Sequence, residues 1–407
     1  MNFALSLRHF RRPLAGLLAV AGLLLGGCVT RPTEYHEPAP LAASARATLN
    51  AEVFDRMWTL VNEHYFDANF RGVDWPAMRA RYRPEALAAA DDTALYAALN
   101  RMAAELKESH LTAISPRRAH EQRVAARALI GIRWRVIDGH RVVSEVMPGS
   151  AAAEAGVQPG WIAIARNGQP LVENDSYVTK LGERVTMEFL DQADEKRVLT
   201  LEPRLLNFQR MESRELPGGY RYLRFDEFTL AALSWLSREL KTHRDAPGVV
   251  LDLRANPGGN ALVLHVAVAE FFEHRVATGT WVKRTGAERP ARGLSWFSAE
   301  YPGKVVVLTS PASGSAAEIL AHVLQHHDRA TVIGRKTAGA VILSRQFRLP
   351  GGGGVQIPIQ DYVGLDGQRL EGHGVKPDRE IPLPTLAEAR AATDRELAAA
   401  LEILSAK

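Results

Sequence analysis

The chain has 407 residues, of which 46% are hydrophobic and 24% charged, the balance of a soluble globular protein with room for two or three domains. Its formal charge is +4, and taking away the three arginines of an acid-free leader (Arg8, Arg11 and Arg12) leaves +1. Nothing in that charge suggests nucleic acid, and a single cysteine, Cys28, excludes an internal disulfide.

The leader is informative. Arg8 to Arg12 precede an apolar run from Leu14 to Leu25, too short for a comfortable membrane span. It ends in Leu25-Gly26-Gly27-Cys28, which resembles a bacterial lipoprotein signal, in which cleavage before Cys28 leaves that residue to carry lipid. An ordinary secretory signal with an incidental cysteine is the alternative. The resemblance implies a lipid-anchored protein of the bacterial cell envelope, on the periplasmic side. Val29 stands where an aspartate would mark inner-membrane retention, which favours the outer membrane. Residues 1–27 are thus assigned to a signal peptide. Residues 28–45, rich in Pro, Ala, Thr and Glu, are assigned to a solvated tether.

From Ala47 to Ala104 apolar residues recur at helical spacing. Val53, Phe54, Met57, Leu60 and Val61 make one stripe, and Leu95, Ala98, Leu99 and Met102 another. Asp91, Asp92 and Thr93 offer caps for the later helix. Tyr65, Phe66, Trp75 and Tyr82 are expected in the core. A helical N-terminal domain is assigned to residues 46–118, and its helical part ends in Leu106-Lys107-Glu108-Ser109-His110-Leu111-Thr112. Taken alone, a histidine just past a helix is more often structural than catalytic.

Residues 119–205 turn to short strands. Ile132 to Val136 alternates, Asp138-Gly139 marks a hairpin turn, and Arg141 to Val146 answers it. Then come Met147-Pro148-Gly149-Ser150, Ala155-Gly156, Pro159-Gly160, and a strand from Ile162 that ends in Asn167-Gly168. From about Gly131 to Leu201 this resembles a PDZ domain of the bacterial-protease kind. Such a domain adds an extended peptide to a sheet edge and captures a C-terminal carboxylate with backbone amides. Trp161 departs from the aspartate usual there, and a small β module with no ligand is the alternative.

Beyond Arg204, Tyr220 to Phe225 and Gly248 to Arg254 read as strands with an amphipathic helix at 230–241 between them. Asn256-Pro257-Gly258-Gly259-Asn260 interrupts, and an apolar helix is expected from Ala261 to Phe272. Val305 to Thr309 reads as a buried strand, Pro311 and Gly314 break it, and a helix begins near Ser315 and runs to His326. Strands alternating with helices imply a largely parallel, covered sheet in residues 206–385. Ligand chemistry in such sheets gathers at strand C-termini, where Gly258, Gly259 and Ser315 fall. Ser315 and Glu318 also have the spacing of a capping box, with Ser313 or the backbone as further caps. From this segment alone capping is the commoner role. Thr331 to Gly334 continues the sheet, Gly367 to Asp378 is a Gly-rich loop, and a closing helix from Thr385 to Leu404 is assigned to residues 386–407.

In chain order, Leu106 to Thr112, the PDZ-like run, Leu251 to Gly259, Ser313 to Ile319 and Leu370 to Asp378 resemble the C-terminal-processing (tail-specific) and tricorn-core family of serine peptidases. The resemblance implies a multidomain α/β protein: a helical N-terminal domain, a PDZ-like β module and a crotonase/ClpP-like α/β catalytic core. One branch of the family activates its serine with a lysine inside a Thr-x-Gly-Lys-Gly segment. Here that segment is Thr337-Ala338-Gly339-Ala340-Val341, and Ser344 replaces a glutamine usual downstream. A lysine base at the usual place is therefore excluded. The tricorn-like branch uses a Ser-His pair, a nucleophilic serine and a distant glutamate, matched here by Ser109, His110, Ser315 and Glu371. In the implied scheme His110 takes the Ser315 proton and later gives it to the leaving amine. Ser109 lies between His110 and Glu371, and backbone N–H groups of Gly258 or Gly259 and of Ala316 receive the oxyanion. No cofactor or metal is expected. The expected partners are protein or peptide substrates and a membrane through lipid on Cys28, with an adaptor or homo-oligomer left open.

Other readings stand beside this one. Lys336 is a displaced candidate base, but it needs burial to lower its pKa and Arg335 adjoins it. His322 and His326 have the spacing of a zinc-binding helix, but Val323 stands where that motif needs glutamate. His373 lies close enough to Glu371 in sequence for the two to exchange roles. From other classes, the chain reads as a non-catalytic PDZ-containing envelope scaffold or a hydrophobic-ligand binder.

Overall fold

The computed structural model describes residues 34–171, 179–207, 209–294 and 300–406. The leader, with Cys28, lies outside the described residues. Among those described, no helix is long and apolar enough to cross a membrane.

Ala43–His64, Trp75–Leu87 and Asp92–Ala104 form the helical N-terminal region, the first helix starting inside the expected tether. Asp74 and Asp91 cap the second and third helices by accepting from the N–H of Ala77 and Ala94 at 3.0 and 2.8 Å. Each cap contributes about 1 kcal/mol. Both apolar stripes are buried. The helices do not bury them on one another alone, because Leu349, Val355 and Ile357 from much later in the chain join the same cluster. One intervening residue beyond His110, Thr112–Ile114 pairs antiparallel with Gly354 to Gln356. The sheet it enters also holds Leu343–Arg348, Ala277–Lys283 and Glu288–Arg292. The helical region thus ends as a strand of the core, and that pairing fixes where His110 can lie.

The central sheet runs Met211–Leu216, Tyr220–Phe225, Gly248–Asp252, Lys304–Thr309, Thr331–Gly334, Arg379–Glu380. Its first pair is antiparallel and the others are parallel. Every residue of Gly248–Asp252 is buried, as a strand covered on both faces requires. Val249, Leu251, Val305 and Val307 pack with residues of Leu230–Thr242, Ala261–Ala269 and Ala316–His326. Val250, Val306, Leu308 and Ile333 pack on the opposite face with Ala399, Ala400 and Leu404.

Two expected helices are shorter than the sequence pattern. The apolar one stops at Ala269, and the closing helix is two pieces, Leu386–Arg390 and Arg395–Ser405. At the break Ala392 takes a φ of 53° and Asp394 caps the second piece. Arg254 accounts for the break by binding Asp252 at 2.7 Å, Asp394 at 2.8 Å and Glu396 at 3.2 Å. Burial alone would raise Asp252, but Arg254 overrides it and holds that carboxyl at about 2. A depressed carboxyl stabilises the fold above its unfolded pKa, and that contribution is lost as pH falls towards 2. Arg254→Met leaves enclosed carboxylates without their cation and is expected to cost about 3–5 kcal/mol. Urea denaturation at pH 7 measures this, and an unchanged midpoint would refute the assignment.

Residues 126–207 contribute a separate β module. Its strands are ordered Ile132–Ile137, His140–Val146, Ile162–Arg166, Val185–Leu190, Lys196–Leu201. Asp138 and Gly139 take φ of 50° and 77°, the sign that a two-residue I′ hairpin turn needs at both positions. Val143, Ala152, Val185, Met187 and Phe189 fill the module's core. Ala126–Leu129 and Arg204–Asn207 pair at its neck. Ion pairs join it to the central sheet: Arg133 to Asp226 at 3.0 Å and Glu145 to Arg224 at 3.1 Å. The helix Pro116–Val124 crosses the expected boundary between the helical region and this module.

Candidate active site

Lys304–Thr309 is buried from Val305 onward and runs into the turn before Ser315. Two hydroxyls stitch that turn to the neighbouring strand. Ser310 donates to the Arg254 carbonyl at 2.6 Å and Ser313 to the Leu253 carbonyl at 2.8 Å. Ser313 also accepts the Ser310 N–H at 2.9 Å, so its side chain is spent on the turn and not on capping the helix. Ser315 stands half-buried at the mouth of Ala316–His326 with φ 51° and ψ −116°. Ordinary N-caps take β-region dihedrals. A residue with a Cβ held at positive φ carries strain of about 1–3 kcal/mol, and such strain collects at functional sites.

Glu318 makes its half of the capping box by accepting the Ser315 N–H at 2.9 Å. It does more than cap. Fully buried, it also accepts from the Thr337 hydroxyl at 2.5 Å and from the N–H of Gly339 and Ala340 at 2.7 and 2.9 Å. Burial pushes its pKa up, and these hydrogen bonds pull it back. They fasten Thr337 to Ala340 against the serine helix, and the Ala340 carbonyl accepts the Ser315 N–H at 2.9 Å. The position that holds lysine in the dyad branch thus lies beside the serine and carries a methyl group. Lys336 is exposed, without the apolar surroundings a neutral lysine base needs.

Next along the chain, the Val341 N–H donates to Glu371 Oε2 at 2.6 Å. Glu371 is buried, and its Oε1 accepts the backbone N–H of Ser109 at 3.3 Å. The Ser109 hydroxyl lies 2.7 Å from His110 Nδ1. The four sequence-identified residues are therefore linked in series: Ser315 to Ala340, Val341 to Glu371, Glu371 to Ser109, Ser109 to His110. One link differs from expectation. The Ser109 hydroxyl meets the imidazole, but the Glu371 carboxylate takes the serine's backbone N–H instead of its hydroxyl. With Nδ1 engaged, Nε2 remains to exchange a proton. Burial lowers the His110 pKa below its usual value and Glu371 partly restores it, which favours the neutral ring that a base requires. His373 Nδ1 is 3.3 Å from the Glu371 carbonyl, supporting that residue's backbone while the carboxylate serves Ser109.

The expected oxyanion donors separate. A Cβ on Gly258 would lie 2.6 Å from Ser315 Cβ and 3.0 Å from the Ala316 nitrogen, so Gly258, Ser315 and Ala316 meet. The Gly258 N–H, however, donates to Asn256 Oδ1 at 2.9 Å. Gly259 backs onto Phe228, where a Cβ would approach the backbone to 2.7 Å. Asn256, fully buried, also donates to the Phe225 carbonyl at 2.8 Å and so sets the glycine turn. In sequence an asparagine before Pro-Gly-Gly reads only as a turn residue, and its role depends on the distant Phe225 carbonyl.

The histidine pair on the serine helix has another use. His322 Nε2 accepts the Leu365 N–H at 3.0 Å, which occupies the lone pair a metal would need, and the His326 ring is 5.9 Å away. Among the described residues no group of three His, Cys, Asp or Glu side chains could hold a metal ion.

Residues 219–381 match peptidase family S41, and residues 48–104 match the tricorn protease C1 domain. The carboxyl-terminal-processing protease of Synechocystis is 28% identical over 368 residues, which cover 86% of this chain and 85% of that one. The photosystem II D1 C-terminal processing protease is similar in fold, with a TM-score of 0.56 at 22% identity over 85% of this chain and 98% of its own. Mature CPAF in complex with lactacystin has a TM-score of 0.61 at 12% identity over 88% of this chain and 98% of its own. The structural likenesses establish the fold, and the sequence matches establish descent. The chain belongs to peptidase family S41, the carboxyl-terminal-processing and tricorn type of serine peptidase.

Proposed function

We propose that this chain is a serine endopeptidase of the bacterial cell envelope that cleaves protein or peptide substrates through Ser315, His110, Glu371 and Ser109. The observation that carries the reading is the hydrogen-bond series from Ser315 through Val341 and Glu371 to His110, around an alanine where the dyad branch places lysine. In the proposed reaction Ser315 Oγ attacks the scissile carbonyl as His110 Nε2 takes its proton. The tetrahedral oxyanion turns to the Ala316 N–H at the positive end of the serine helix, with the amide of Gly259, or that of Gly258 once it leaves Asn256 Oδ1, as second donor. His110 then protonates the leaving amine, and water resolves the acyl-enzyme by the same route. Glu371, acting through Ser109, orients the imidazole and favours its charged form.

Two wider features belong to the reading. Ile132–Ile137 ends the strand order of the β module among the described residues, which supports addition of an extended peptide to a PDZ-like edge that delivers substrate or gates the site. Removing residues 126–207 should then raise KM for a protein substrate or abolish its cleavage, and an unchanged profile would discard the role. The sole cysteine, Cys28, supports a lipid anchor. Labelled palmitate still incorporated by Cys28→Ala would discard that part.

The pH profile tests the mechanism. The acid limb of kcat/KM reports the base of the free enzyme, so it is expected below the ordinary histidine value. Glu371 favours the imidazolium, so Glu371→Gln should move that limb to still lower pH while kcat falls at least about tenfold. A limb that stays in place or moves upward in Glu371→Gln would defeat the proposed tetrad.

A further inference from the structure

Glu108, two residues before His110, has no part in the proton path, yet no surface of its side chain is exposed. Its Oε1 accepts from the Tyr65 hydroxyl at 3.2 Å and from Arg71 at 2.5 Å, and Arg369 approaches to 3.7 Å. Its Oε2 is buried with no hydrogen-bond partner. Arg369 stands two residues before Glu371, as Glu108 stands two before His110. The Arg369 guanidinium also binds Asp361 at 2.6 Å and lies over the Phe66 ring at 5.8 Å. One cation therefore sits between the two loops whose meeting the Ser–His reading requires.

The charge is a poor stabilising device where it is. Burial and then the neighbouring Glu371 push the Glu108 pKa up against the pull of Arg71 and Arg369. A carboxyl raised on folding binds protons more tightly in the folded state, so stability falls as pH rises through its titration. At neutral pH the ionised form thus opposes folding, and a neutral side chain of the same shape avoids that cost. What the carboxylate does supply is a fixed anchor. Lys107 just before it takes a φ of 51°, and the corner from Leu106 to His110 has few backbone bonds of its own to hold that shape.

We propose that Glu108 is a positioning residue: its carboxylate, gripped by Arg71 and Arg369, holds the Ser109–His110 corner against the loop that carries Glu371. The proposal rests on the Ser–His reading of the active site.

The test is Glu108→Gln in the full chain, assayed on a peptide substrate with thermal melting in parallel. The expected result is a kcat lowered on the order of ten- to a hundredfold, since small misplacements of a reacting group cost that much. KM stays within about threefold, and the melting temperature at pH 7 is unchanged or higher. In a Glu371→Gln background the same substitution lowers the residual kcat by less than about threefold, because groups acting as one unit are not additive. Arg369→Met reproduces the loss and adds little to Glu108→Gln. Near-wild-type kcat in Glu108→Gln would overturn the proposal. Equal fold-losses in the two backgrounds would do so too, as would a lowered melting temperature with kcat intact. If His110→Ala is inactive while Glu108→Gln matches the wild type, this proposal alone falls. If His110→Ala keeps full activity, the Ser–His reading itself has failed.

Discussion

Replacing His110 by alanine is expected to lower kcat for peptide hydrolysis about ten-thousand- to million-fold, and Ser315→Ala by as much, while Lys336→Ala stays within about twofold. A serine hydroxyl is a weak nucleophile without an adjacent base, and two bases compete in this sequence. Lys336 is exposed, whereas His110 is half-buried, lowered below its usual pKa by burial, and held by Ser109 at Nδ1. The place a lysine takes in the dyad branch is filled by Ala340, whose carbonyl accepts the Ser315 N–H. If Ser315 and His110 act together as proposed, the double variant should be no slower than either single one. Steady-state kinetics with melting curves as a check on folding decide the matter. Loss confined to Lys336→Ala would sink the Ser–His mechanism, and hydrolysis unaffected by Ser315→Ala would leave the scaffold and ligand-binder readings standing.

Gly258→Ala is expected to lower kcat at least about a hundredfold, the scale of a disrupted oxyanion donor, and to destabilise the fold by roughly 1–3 kcal/mol. Its Cβ would come within 2.6 Å of Ser315 Cβ, 2.9 Å of the Gly314 carbonyl oxygen and 3.0 Å of the Ala316 nitrogen. Its φ of 108° is one that side chains rarely adopt. Either the glycine turn or the serine helix must shift, and both shifts displace the proposed oxyanion donors. Gly182→Ala is the control, since Gly182 shares a positive φ of 76° but has open space around it. It should cost stability without costing kcat. A Gly258→Ala enzyme with near-normal kcat would show that this close approach does not position the serine.

The candidate site was legible in pieces. Ser315 could be found because strand, turn and helix follow one another within fifteen residues, and Glu318 could be found as its capping partner. The dihedrals that set Ser315 apart from an ordinary cap could not be read, since they arise from Ser310 and Ser313 tying the turn to the next strand. Glu318 looked like a cap alone because its bonds to Thr337, Gly339 and Ala340 cross from another segment. Gly258 and Gly259 read as equivalent donors. They differ because Asn256 takes the Gly258 amide, whereas Gly259 is packed closely against Phe228. The split in the closing helix has no local sign for a related reason: Arg254 draws in Asp394 and Glu396 from the end of the chain.

Local units depend on neighbouring residues and are written in the chain: the buried stripes of the N-terminal helices, the strand–turn–helix around Ser315, the Asp138-Gly139 hairpin, and the alanine that rules out the usual lysine. The meeting of the Ser109–His110 corner with Glu371 depends on long-range pairing. Thr112–Ile114 is too short to show a period or to hold a register unaided, and its place is set by pairing with Gly354 to Gln356 and by apolar burial against Val355 and Ile357. That long-range pairing brings the corner carrying Ser109 and His110 to Glu371, because a β ladder rewards contacts between segments whose sequences carry no sign of one another.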